Sequence, residues 1–134
     1  MVKINHKQQH NDKCNWKCGA VCLEMIFEYY GIEYDKEDIW KNIKTAHPNK
    51  IGQYFTLTHK VVKYAIEHGL AATAYRAQED TYLKVLEQIQ DKNIPAVLSI
   101  VEKKSGSGHF IVYTGIKNKM YYYSDPNSDR KSVV

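Results

Sequence analysis

The apolar run of residues 18–30, CGAVCLEMIFEYY, is the feature that most constrains how this chain folds. Apolar side chains lie on nearly every side of a helix with this sequence, and such a helix is stable only when it is buried. Gly31 follows the run and is a typical residue at a helix end, because glycine adopts the left-handed backbone conformation easily. The sequence therefore predicts a buried helix that begins near Cys18 and ends before Gly31.

Other segments before residue 95 are predicted from local composition. Residues 46–55 contain proline and glycine and are predicted to form a loop, and residues 70–76, LAATAYR, a short strand. Further helices are predicted where a polar residue that can cap a helix precedes apolar residues at helical spacing. These are KEDIWKNI after Asp35, KVVKYAIEH after Thr56 or Thr58, and a helix with Leu83, Leu86 and Ile89 after Asp80.

The last third of the chain has a different pattern. PAVLSIV, HFIVYTGI and MYYYSD are short β-branched and aromatic runs separated by KKSGSG and KNK, as in an antiparallel meander. Helices first and strands last predict an α+β fold, with N-terminal helices packed on a C-terminal antiparallel β-sheet. The 134 residues fit a single domain, 1–134.

Composition excludes several classes of function. The net charge of +4 comes from lysines spread along the chain, whereas nucleic-acid binding needs a basic patch, so we expect no nucleic-acid partner. No apolar run approaches the roughly 18 residues of a membrane span, so we expect no membrane segment. The N-terminus, MVKINHKQQ, lacks the apolar region of a signal peptide. We expect a cytoplasmic protein, or an effector exported by a partner system.

Cysteine and histidine residues recur every four positions near the N-terminus: His6, His10, Cys14, Cys18 and Cys22. Three clustered cysteines do not form a disulfide framework. On one helix, four-residue steps would space the ligands about 6 Å apart, and such a row cannot close on one metal ion. A bend before Cys14 would still let two or three of them bind zinc. We expect neither a metal nor another cofactor.

Cys18 is the best candidate nucleophile among the thiols. It lies at the predicted start of the buried helix, where free N–H groups and the helix dipole favour a thiolate. Cys22 falls one turn later in apolar surroundings and is predicted to be a core residue, and Cys14 an ordinary loop thiol.

His109 and Asp125 are the candidates for a base and its orienting carboxylate. His109 follows a Gly/Ser-rich stretch and opens the apolar strand FIVY, and Asp125 ends the next strand, in YYYSDP. If these strands form a hairpin, both side chains lie at its open end, within reach of each other.

Residues 18–31, CGAVCLEMIFEYYG, resemble the nucleophile helix of the C39-type (bacteriocin-processing-like) papain-like cysteine peptidases, and GHFIVYTG and YYYSDP resemble the family's His and Asp motifs. The resemblance implies that Cys18 is the nucleophile, that His109 is the general base and then the general acid, and that Asp125 fixes the His tautomer. It also implies an oxyanion hole made by the Cys18 N–H and an upstream glutamine.

Two positions depart from the family pattern. Lys17 replaces the aspartate that usually precedes the nucleophile, and Asp12 occupies the usual glutamine position. The available glutamines are Gln8 and Gln9, which a short insertion near Trp16 would bring into place. The other register pairs Gln8 with Cys14 as the nucleophile.

The function implied by the resemblance is that of a bacterial cysteine peptidase, which cleaves a peptide or protein substrate through a Cys18 acyl-enzyme, such as a leader peptide after a double glycine. An ABC transporter would then be a partner. The alternatives are an inactive peptide-binding module, a papain-like toxin or effector neutralised by an immunity protein, and an acyltransferase that uses the same triad.

Overall fold

The computed structural model describes residues 1–9, 17–76, 78, 80–101, 108–127 and 132–133. In these ranges the chain forms four helices and six strands. The helices are α1 (Cys18–Tyr29), α2 (Lys36–Ile43), α3 (Thr58–Glu67) and α4 (Tyr82–Asp91). The strands are β1 (Lys44–Ala46), β2 (Tyr54–Thr56), β3 (Ala96–Val101), β4 (Gly108–Lys117), β5 (Met120–Ser124) and β6 (Ser132–Val133).

Helix α1 confirms the predicted buried helix. Nine of its 12 residues are buried, in a core shared with α2, α3 and β4. It ends before Gly31, as predicted, and Gly31 has a φ of 69°. The Gly31 N–H donates to Glu28 O, and the Ile32 N–H donates to Phe27 O. This pair of bonds is the Schellman motif, which satisfies the last carbonyl groups of the helix.

The C-terminal strands form one antiparallel sheet in the order β3-β4-β5-β6, in which β6 adds a two-residue edge. Asn118 and Lys119, with φ of 53° and 63°, make the two-residue turn between β4 and β5. Positive φ at both positions is typical of a type I′ turn, which matches the twist of the strands. Helices α1 and α4 pack on β4. The predicted α+β fold is confirmed.

The N-terminal segment lies along the sheet, which the sequence did not indicate. Val2 and Ile4 are buried in the core. The Val2 N–H donates to Thr114 O at 3.0 Å, and the Gln9 N–H donates to Pro126 O at 2.9 Å. The segment therefore runs from the middle of β4 to the turn that follows β5.

Some local predictions are wrong. The loop predicted at residues 46–55 is shorter in the structure. Strands β1 and β2 pair with each other and leave only residues 47–53 between them. Residues 70–76 form no strand. The Leu70 N–H closes the end of α3 by bonding to Ala65 O, and the residues after it are mostly exposed and pair with no described strand.

The predicted caps are confirmed for α2 and wrong for α3 and α4. Asp35 accepts a hydrogen bond from the Glu37 N–H at 2.9 Å. Thr56 belongs to β2, so the residue at the N-cap of α3 is Leu57. The residue at the N-cap of α4 is Thr81. Neither Leu57 nor Thr81 caps its helix with a side-chain hydrogen bond. Within the described ranges, no helix is long and apolar enough to cross a membrane.

Candidate active site

Cys18 is the first residue of α1 and is only 5% exposed. Lys17, at the N-cap, makes no side-chain hydrogen bond to the first turn. Cys18 therefore lies beside the first N–H groups of the helix and the positive end of its dipole. Cys22, one turn later, is fully buried, and this burial raises the pKa of its thiol well above the ordinary value.

The β4–β5 hairpin brings His109 and Asp125 together, as expected if the two strands form a hairpin. Val112 pairs with Ser124, so both residues lie just beyond that pair, at the open end of the two strands. His109 Nε2 is 2.6 Å from Asp125 Oδ1. The other ring nitrogen, Nδ1, is then left for the side-chain hydrogen bond of His109 with Cys18.

Charge distribution at this site favours an ionised His–Asp pair. Burial lowers the pKa of His109, but hydrogen bonds and charge interactions with Asp125 and Cys18 outweigh it and raise the pKa to about 10. Burial raises the pKa of Asp125, but the bonds from His109 and from the Asn127 backbone N–H give a net lowering. An imidazolium beside a thiolate is the arrangement that prepares a cysteine for nucleophilic attack.

Gln9 lies beside the start of α1, and both the oxygen and the nitrogen of its side-chain amide are hydrogen-bonded. Its Oε1 accepts a hydrogen bond from the Lys17 N–H at 3.0 Å, and its Nε2 donates to Asn127 Oδ1. Gln8 and Gln9 both line a neighbouring groove. Cys14, the nucleophile of the other register, lies outside the described residues, as does Asp12.

Sequence reasoning missed His6, Ser124 and Asn127. His6 Nδ1 is hydrogen-bonded to the Ser124 hydroxyl, which also donates to Met25 Sδ at 3.2 Å. The charge of His6 contributes to the low pKa of Asp125. The sequence signal for Ser124 and Asn127 was proximity, because they flank the Asp-Pro pair. His6 was singled out only as a possible metal ligand in the four-residue series.

A groove of about 440 Å³ runs along α1 next to Gln9 and Lys17. Its other lining residues include Ala20, Glu24 and Trp40. Burial raises the pKa of Glu24, and nearby lysine charges oppose this effect. The Lys17 ammonium lies 5.7 Å from the centre of the Trp40 ring. The groove thus combines charged groups with an aromatic wall on the side of α1 that carries Lys17 and Glu24.

In the described part of the chain, no three His, Cys, Asp or Glu side chains are grouped so that they could hold a metal ion. Cys18 and Cys22 are both free thiols.

Comparison with known proteins supports the resemblance found in the sequence. The model of the Peptidase_C39 like family matches residues 1–134, the whole chain. The comparison with curated proteins found no match.

Proposed function

Because the chain belongs to the Peptidase_C39 like family, we propose that it is a cysteine peptidase that cleaves a peptide bond through a Cys18 acyl-enzyme. The observation that carries the proposal is the hydrogen-bonded series of Cys18, His109 and Asp125, in which His109 is buried and has a pKa raised to about 10. We infer also that residues 1–134 form one domain, since the family model covers all of them.

The proposed reaction has two steps. In the first, the Cys18 thiolate attacks the carbonyl carbon of the scissile bond, and a C–S bond forms while the carbonyl oxygen becomes an oxyanion. The imidazolium of His109 gives its proton to the leaving nitrogen, and the C–N bond breaks. In the second step, His109 takes a proton from water, the hydroxide attacks the thioester, and Cys18 is released as the thiolate.

Oxyanion stabilisation is assigned to the Cys18 backbone N–H and to the Gln9 side chain. Cys18 is the first residue of α1, and its N–H is among those that have no partner within the helix. Gln9 is nearly buried and is bonded to the adjacent Lys17 N–H. A donor of this kind typically contributes about 3 kcal/mol to transition-state stabilisation. Gln8 is the less favoured donor, because it is Gln9 that bonds to the backbone of the residue before Cys18.

The substrate is proposed to be a peptide that lies in the groove along α1, with cleavage after a small-residue pair such as Gly-Gly. The groove is lined by Gln9 and by Lys17, the residue that precedes the proposed nucleophile in the chain. A double-glycine leader peptide should be cut, whereas the same peptide with valine at both glycine positions should stay intact.

A second candidate is a peptide-binding module that does not cut. It is favoured by the small exposure of Cys18, 5%, and by the bonds that already engage both ends of the Gln9 amide. Such a module would bind the leader peptide and leave it whole.

Brief alkylation with limiting iodoacetamide at mildly acidic pH separates the two candidates. Mass spectrometry should find the label on Cys18, and His109→Ala should slow this labelling at least about a hundredfold, the lower end of typical acid–base contributions. His59→Ala, at an exposed histidine of α3, is the matched control and should label like wild type. Slow, equal labelling in wild type and His109→Ala would refute the peptidase.

A further inference from the structure

We propose that Asn127 is a positioning residue that orients the Gln9 amide toward the carbonyl oxygen attacked by Cys18. The inference rests on the proposed function, since it concerns the oxyanion formed on that enzyme. It adds a residue that neither the sequence motifs nor the family match indicates.

The Gln9 side chain is fixed by groups of known polarity. The Lys17 N–H can only donate, so its 3.0 Å bond must be accepted by Gln9 Oε1, and the amide nitrogen must face the other way. That nitrogen donates to Asn127 Oδ1. A primary amide carries two N–H groups, so one is held by Asn127 and the second remains to donate to a substrate oxygen.

Asn127 also contacts the proposed triad, but through its backbone. Its N–H donates to Asp125 Oδ1 at 2.9 Å, the same oxygen that lies 2.6 Å from His109 Nε2. The hydrogen bonds therefore form a closed series from Lys17 through Gln9, Asn127, Asp125 and His109 to Cys18, which follows Lys17 in the chain. Asn127 joins the proposed oxyanion donor to the proposed base.

The two functions of Asn127 use different atoms, and a mutation can separate them. Asn127→Ala removes the oxygen that holds Gln9 and keeps the backbone N–H that bonds to Asp125. The variant should therefore misplace the Gln9 amide while His109 and Asp125 stay in position. Two chemical probes of Cys18, one that forms an oxyanion and one that does not, should therefore respond differently to Asn127→Ala.

The first probe, p-nitrophenyl acetate, acetylates Cys18 through an oxyanion, whereas the second, iodoacetamide, alkylates the thiolate by displacement at carbon without an oxyanion. Asn127→Ala should slow acetylation about tenfold, the usual effect of losing one side-chain hydrogen bond. Alkylation should stay within about twofold of wild type. Both products are mapped to Cys18 by mass spectrometry.

Two controls test whether Asn127 acts through Gln9. Asn5→Ala removes another asparagine, one that bonds to Glu28, and should leave both rates unchanged. In a Gln9→Ala background, Asn127→Ala should cause no further loss of acetylation, as expected of two residues that act as one unit.

Several outcomes would overturn the inference. They are an equal fall in both rates, unchanged acetylation in Asn127→Ala, and a further tenfold loss in the Gln9→Ala background. Failure of the proposed function has a different signature, because it would appear in wild type as slow Cys18 alkylation that does not depend on His109, and it would overturn this inference as well.

Discussion

His109 is buried to 4% exposure, which alone would favour the neutral imidazole, yet its pKa is raised to about 10. The carboxylate of Asp125, 2.6 Å from Nε2, and the thiol of Cys18 stabilise the imidazolium more than burial destabilises it. At neutral pH the side chain therefore carries a proton that it can give to a leaving group.

We predict that Asp125→Asn lowers the pKa of His109 by more than about one unit, because an opposite charge at this distance typically contributes one to three units. The measurement is an NMR titration of the imidazole carbon signals from pH 5 to 11. The signals of exposed His59 serve as the internal reference. An unchanged His109 titration in Asp125→Asn would show that the carboxylate does not set this pKa.

Sequence reasoning found the residues whose chemistry is visible in the chain. Cys18, His109 and Asp125 were selected by their positions at a helix start and at strand ends, and these three are brought together. His6 and Gln9 reach Ser124 and Asn127 across 118 positions. Such contacts depend on how the N-terminal segment packs on the sheet, and no local pattern predicts that.

Helix α1 packs closely against β2 and β4 at Gly19, the residue after the proposed nucleophile. A Cβ atom at Gly19 would lie 3.1 Å from Thr56 Cγ2 and 3.4 Å from Phe110 Cδ2. Phe110 follows His109, so this contact sets the distance between the start of α1 and the start of β4. Glycine at this position lets the two elements bring Cys18 to His109.

We predict that Gly19→Ala destabilises the fold by about 1–3 kcal/mol, the usual cost of an added methyl group in a packed site. It should also slow alkylation of Cys18, because α1 must move away from β4. Urea unfolding and the iodoacetamide rate are the measurements. Gly108→Ala is the matched control, since a Cβ there meets no atom within 4 Å. Equal behaviour of the two variants would refute a role for close packing at Gly19.

Whole elements were predicted where their own side chains determine them. Helix α1 and strands β3 to β5 follow from apolar runs that have to be buried. Residues 70–76 have a similar strand-like composition but no described strand beside them, and a strand exists only with a partner. The short hairpin of β1 and β2 was missed because the composition of its two three-residue strands does not indicate strands. These strands are stabilised by pairing with each other.

Stability of the whole molecule should depend on pH through the same histidine. The folded pKa of His109, about 10, lies above the ordinary value of 6.5, so between these limits the folded state holds a proton that the unfolded state has lost. Stability from His109 is then fully present below pH 6.5 and is lost as the pH rises toward 10. Cys22, with its raised pKa, adds a loss of the same sign once its thiol ionises in the unfolded chain, near pH 9.

We therefore predict that the free energy of unfolding falls between pH 6.5 and 9, with a slope of at most about 1.4 kcal/mol per pH unit for the one proton involved. Urea unfolding at pH 6.5, 7.5 and 8.5 measures it. His109→Gln removes the titrating group and should flatten the slope, whereas His59→Gln should keep it, since that histidine is exposed. Equal slopes in the two variants would mean that His109 is not the group that couples folding to pH. A flat profile in wild type would mean that its proton is not held more tightly in the folded state.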